Sequence, residues 1–148
     1  MTQNLDTRLN PYFPTVLSVF RVVFGLLFAA HGASILFRWP VDFGPMPVGT
    51  WPFWWAGLLE FVTGLLILVG LFTRIAAFVA SGQMAVAYFW QHQPHALWPI
   101  DPKNGGELSV LFCFAFLLLV FAGGGAYALD ARRHGRSGTS GARRTLRR

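Results

Sequence analysis

Charge is scarce in this chain. Charged residues make up 12% of its 148 residues, against about 25% in soluble domains, and Asp and Glu together number only 6. Cysteine is nearly absent as well. Cys113 stands alone, which excludes an internal disulfide or a two-cysteine redox centre and leaves a packing role midway along an apolar run. The chain has no glycine-rich phosphate loop, no nucleophile elbow and no internal repeat, so nucleotide hydrolysis, serine-type acyl transfer and a solenoid all lack their sequence basis. His92 and His95 are separated by Pro94, and no second cluster supplies the remaining ligands of a metal site; haem ligation by His31 and another histidine meets the same objection.

Apolar residues are abundant instead: they make up 54% of the chain, and the mean hydropathy is +0.48. Four apolar segments, approximately 14–37, 52–71, 74–91 and 107–123, approach the ~17–25 residues that cross the hydrocarbon of a bilayer. A lone span could not hide Ser81, Gly82 and Gln83 in the third segment, so the expected fold is all-α. It is a transmembrane four-helix bundle over residues 1–130, followed by a disordered basic tail over 131–148. No room remains for a separate soluble catalytic domain.

Arginine sets the expected orientation. Of the 12 Lys and Arg residues, seven follow Asp130, which places the tail in the cytoplasm, and an even number of spans puts the N-terminus there too. Arg74 falls on the same side, whereas the two outer loops carry only Arg38 and Lys103. All six tryptophans, Trp39, Trp51, Trp54, Trp55, Trp90 and Trp98, lie in or beside those outer loops, as suits indoles at a headgroup interface. A removable signal peptide is the competing reading of the first segment, but Arg21 interrupts its apolar stretch, and Ile35, Leu36 and Phe37 extend it past the small residues at 29–33. The sequence pI of 10.8 comes largely from the tail. A polybasic segment just beyond a span reads as attraction to anionic inner-leaflet lipid rather than to nucleic acid.

Glu60 interrupts the run from Phe53 to Phe72, which contains no basic residue. A carboxylate at that depth costs several kcal/mol unless it is protonated, faces the protein interior or meets a partner from another helix. Counting from the outer ends, His31 lies about six residues down its helix and Glu60 about eight, a mismatch of only ~3 Å. Tyr88 and His92 lie within about a turn of the same end, on a stripe with Arg74 and Ser81, and Glu107 begins the fourth helix there. His31, Glu60, Tyr88, His92 and Glu107 are therefore candidates for one polar pocket, with Glu60 and His31 as proton-exchanging groups. Arg21 lies roughly 12 Å from Glu60 along the membrane normal, where its side chain can reach up to the carboxylate or down to the inner headgroups. Gly25 and Gly32 share its face, and Gly57 and Gly64 flank Glu60, so the polar groups sit at a close helix contact. A structural pair that fixes helix register is the plainer account of Glu60.

The chain resembles the DoxX family of small four-helix membrane proteins. The resemblance rests on Arg21 with GLLFAAHG (Gly25 to Gly32), on AGLLEFVTGLLILVGLFTRIAA (Ala56 to Ala77) and on GGGAYALD (Gly123 to Asp130). Within it, Gly32, Gly64, Gly70, Thr73, Arg74 and Asp130 are expected to be structural. Family members often carry a basic residue soon after the His-Gly pair, whereas here the first is Arg38. The resemblance implies a plasma-membrane protein tied to redox systems and oxidative-stress handling. Such a chain is at most an accessory oxidoreductase subunit, binding a quinone-like or lipid ligand and leaving electron transfer to a membrane or cytoplasmic oxidoreductase partner. A non-catalytic scaffold or lipid and cargo binder is the alternative, and a small transporter, requiring a deep pocket or a homo-oligomer, is the third.

Overall fold

The computed structural model describes residues 2–131 and is helical, with no strand among the described residues. The basic tail, expected to be disordered, lies outside them. A short helix α1 (Thr2–Leu9) passes through a tight turn at Asn10–Tyr12 into α2 (Phe13–Phe37), and α3 (Phe53–Val69), α4 (Thr73–Ala87) and α5 (Glu107–Ala122) follow. The polar sequence TQNLDTRL gives no membrane signal, so α1 is an addition to the four expected helices. Thr7–Phe37, 31 residues, is long and apolar enough to cross a membrane by itself, while α3 and α5 are apolar but shorter, at 17 and 16 residues. The third segment departs from the expected single helix: α4 ends at Ala87 and continues to His92 as a π-turn, in which Gln93 N–H donates to Tyr88 O at 2.9 Å.

The helices associate as two close pairs, α2 on α3 and α4 on α5, with α3 beside α4. Small residues set the first pairing. A Cβ on Gly25 would stand 2.6 Å from Leu68 N, and one on Gly64 would stand 2.5 Å from Ala29 N, so α2 and α3 touch backbone to backbone. The core between the pairs is built from Phe28, Ile67, Phe116 and Leu119, with Ala76, Ala77 and Ala80 giving α4 its close approach. Phe28 and Phe116 meet edge to face, with ring centroids 4.7 Å apart. The outward faces carry Val19, Val23, Ile75, Phe78, Phe114, Leu118 and Phe121, all exposed. So continuous an apolar exterior is the surface of a chain solvated by lipid.

Side chains from distant parts of the chain cap the helix ends opposite the loops at 38–52 and 93–106. Arg21, 2% exposed, donates from Nε to Gly124 O at 2.8 Å and from Nη1 to Ile67 O at 2.6 Å, and it also bonds Leu68 O, so it satisfies the last carbonyls of α3. Arg74 donates to Val120 O and Phe121 O at the end of α5, at 2.7 and 3.0 Å. Asp130 accepts from Phe72 N–H, Thr73 N–H and the Thr73 hydroxyl at 2.8 to 2.9 Å, which caps the start of α4. Helix termini leave orphan backbone groups that hydrocarbon cannot satisfy, and these three residues satisfy them from within the protein. Gly70 makes the turn between α3 and α4 with φ +75°, and its N–H reaches Leu66 O at 2.9 Å.

Candidate functional site

At the opposite end a partly open cavity of about 790 Å³ lies among residues of α2, α3, α4 and α5. Its wall is mostly apolar and aromatic, including Leu27, Phe28, Leu59, Met84 and Phe112, with Trp51, Trp55 and Trp90 near the loops. Trp51 and Trp90 face one another, with ring centroids 6.2 Å apart. The wall also carries Gln91, His92 and Ser109, and one cluster of its polar groups is hydrogen-bonded together. His31 on α2 brings Nδ1 to 2.5 Å from Glu60 Oε2 on α3, and Gln83 on α4 donates from Nε2 to Glu60 Oε1 at 3.2 Å and to Ala56 O at 3.0 Å.

Exposure divides the roles within this cluster. The Glu60 side chain is 5% exposed, with both oxygens engaged, whereas the His31 side chain is 55% exposed and lines the cavity. Two nitrogens therefore converge on the two carboxyl oxygens. Phe43, from the loop after α2, lies over the imidazole with ring centroids 5.5 Å apart. Gln83 Oε1 is buried and accepts no hydrogen bond from the protein. Turning the amide over would set its oxygen against Ala56 O, so Nε2 keeps its place.

The remaining candidates divide. His92 lines the same cavity, with Nδ1 2.8 Å from Asn104 O. Tyr88 does not line it: the hydroxyl donates to Leu97 O at 3.3 Å, and the ring packs where a Cβ on Gly106 would stand. Tyr88 follows the stripe of Arg74 and Ser81, which faces α5 and the segment before it rather than the cavity. Glu107 is exposed in the first turn of α5, where its charge suits the positive end of the helix, and it is outside the cavity wall. Arg21 is also not at this site, since the carbonyls at the end of α3 and Gly124 hold its guanidinium at the other end of the bundle. Of the small-residue set, Gly32 and Gly64 lie at the α2–α3 contact, while Gly70, Thr73, Arg74 and Asp130 form the capped end.

Gln83 is the site residue that the depth count passes over. It stands out in the sequence as an amide inside an apolar helix, but it lies off the stripe shared by Arg74, Ser81, Tyr88 and His92. Ser81 turns to α5 instead, its hydroxyl donating to Cys113 O at 2.9 Å. Among the described residues no group of three or more His, Cys, Asp or Glu side chains could hold a metal ion. The arrangement offers one carboxylate-supported imidazole to an apolar chamber large enough for an amphiphile with a ring-sized head.

Comparison with known proteins places these residues in a wider set. The family model described as DoxX matches residues 16–93, which run from the early part of α2 through the π-turn and include His31, Glu60, Gln83 and His92. An uncharacterised protein of Haemophilus influenzae is 40% identical over 128 residues, covering 83% of this chain and 94% of that one. An uncharacterised membrane protein of Mycobacterium tuberculosis is 30% identical over 147 residues, covering 88% of each. No solved structure matches the chain.

Proposed function

The chain belongs to the DoxX family of membrane proteins, and from that premise we propose that it binds a quinone-like or lipid amphiphile in its membrane-embedded cavity as the subunit or partner of a redox complex. The observation that carries this reading is the His31–Glu60 pair, 2.5 Å apart, on the wall of an otherwise apolar chamber of about 790 Å³. The pair can hold helix register, and it also leaves an imidazole half open to a cavity, which register alone does not require. With Glu60 behind it, His31 can take or give a proton at the head of a bound molecule. Electrons belong to a partner.

In the same proposal α2 to α5 cross the plasma membrane, both termini lie in the cytoplasm, and the cavity opens toward the outer leaflet. The tryptophans at the cavity mouth and the arginines at the capped end support that orientation. A non-catalytic lipid or cargo binder is the second reading, favoured by how few polar groups the wall presents. Organic extraction of the protein purified in mild detergent tests both. Stoichiometric quinone supports the redox reading, phospholipid alone supports the second, and neither removes the ligand.

A further inference from the structure

The capped end of the bundle carries a second concavity, an open hollow of about 500 Å³ among the start of α2, the start of α4 and the segment that follows α5. Part of its lining is apolar, with Phe13 and Leu17 from α2 and Ala122 from α5. Another part is a guanidinium. Arg74 is exposed and places only Nη1 on the carbonyls of Val120 and Phe121, at 2.7 and 3.0 Å, so its Nε and Nη2 have no acceptor among the described residues. Gly123 keeps the space beside them clear. A Cβ there would stand 3.4 Å from Nη2 and 3.7 Å from Nε, and its φ of +83° suits glycine. Gly124 and Gly125 also line the hollow, and among the described residues neither N–H makes a hydrogen bond. The Gly124 carbonyl is held by Arg21, whose Nε donates to it at 2.8 Å. Asp130 is in the lining too, but its two oxygens accept from Phe72 N–H, Thr73 N–H and the Thr73 hydroxyl. Arg21 and Arg74 against Asp130 leave the neighbourhood with one positive charge in excess.

We propose that this hollow binds the phosphate of an anionic phospholipid. Nε and Nη2 form one edge of the guanidinium plane, the edge that pairs with two oxygens of a phosphate. Successive backbone N–H groups in a glycine turn favour the same anion. Free phosphate would use only this half of the hollow. A phospholipid also uses the other, because Phe13 is exposed and continues the apolar lining onto the lipid-facing side of α2, where an acyl chain can lie. The helix ends also meet the headgroup layer at this level when the helices span a bilayer. The site is distinct from the cavity at the opposite end and does not rest on its amphiphile reading. It is distinct as well from the attraction of the basic tail for an anionic surface, which needs no fixed geometry.

The test titrates the full chain, in a non-ionic detergent, with phosphatidylglycerol and with phosphatidylcholine of equal chain length, and counts bound lipid by native mass spectrometry. The first equivalent of phosphatidylglycerol is expected to bind about tenfold more tightly than phosphatidylcholine, the scale of one hydrogen bond to a charged group. Arg74→Gln is expected to remove most of that preference, and Arg74→Lys to keep part of it. Ala126 is exposed on the rim of the hollow, so Ala126→Glu sets a like charge against the phosphate and is expected to weaken binding, whereas Ala126→Gln leaves it unchanged. The Ala126 pair gives the reading if Arg74→Gln does not fold. All four variants retain the basic tail, so a preference that persists in both Arg74→Gln and Ala126→Glu belongs to the tail and overturns the proposal. Equal affinity for the two lipids overturns it too. Inorganic phosphate at the same concentration is expected to leave phosphatidylglycerol bound; its displacement would assign the hollow to a free phosphate and overturn the lipid source. None of these outcomes bears on the cavity that holds His31 and Glu60.

Discussion

Residue by residue, the site depends on who donates to Glu60. Its two oxygens face an imidazole nitrogen and an amide nitrogen, so Glu60→Gln brings an NH₂ group against at least one donor. A buried donor or acceptor left without a partner costs about 1–3 kcal/mol. The melting temperature in detergent is therefore expected to fall by an amount corresponding to that range. In a Gln83→Leu background, where one of the opposing donors is gone, the same substitution is expected to cost measurably less. Equal costs in the two backgrounds would show that Gln83 does not contribute to holding the carboxylate. The meeting of His31 and Glu60 could be read from depth alone, because helical rise fixes how far down each residue sits. Depth says nothing about direction, however. Tyr88 and Glu107 share that layer, yet one turns to Leu97 O and the other stays outside the cavity wall.

Among the elements, the four long helices coincide closely with the apolar runs, since burial and lipid solvation both demand apolar side chains at this composition. What escaped the sequence lies at the ends. Neither α1 nor the π-turn carries a hydropathy signal, and the capping of three helix ends by Arg21, Arg74 and Asp130 spans up to 58 residues of chain, a relation that no local pattern encodes. Arg21 is the clearest case. Its position along α2 allowed either the carboxylate or the headgroups, and the deciding factor is the cluster of carbonyls left by the end of α3 and by Gly124. Asp130 gives a test confined to one element. Asp130→Ala removes the acceptor for Phe72 and Thr73 N–H, so their hydrogen exchange is expected to accelerate by one to two orders of magnitude while amides in the middle of α4 keep their protection. Uniform acceleration along α4 would instead mean that the cap holds the whole helix.

For the whole molecule, the two ends of the bundle divide the work. The arginine-capped end ties α3, α4, α5 and the segment at 123–130 together by hydrogen bonds, and the other end opens into the chamber that holds His31, Glu60 and Gln83. If that chamber lies toward the outer leaflet, a cysteine placed in the loop after α2 by Val48→Cys, with Cys113→Ala removing the native thiol, is labelled in intact cells by a membrane-impermeant reagent. Leu5→Cys is labelled only after permeabilisation. The reverse pattern would invert the orientation inferred from the arginines and tryptophans. Ala87 lines the chamber from α4, one turn beyond Gln83, so Ala87→Trp fills it without replacing any residue of the polar cluster, which makes occupancy directly measurable. Quantifying the organic amphiphile that co-purifies with the unaltered chain and with this variant is the most direct measurement of the central claim: one equivalent in the first and little in the second is the predicted result, and equal amounts in both would contradict it.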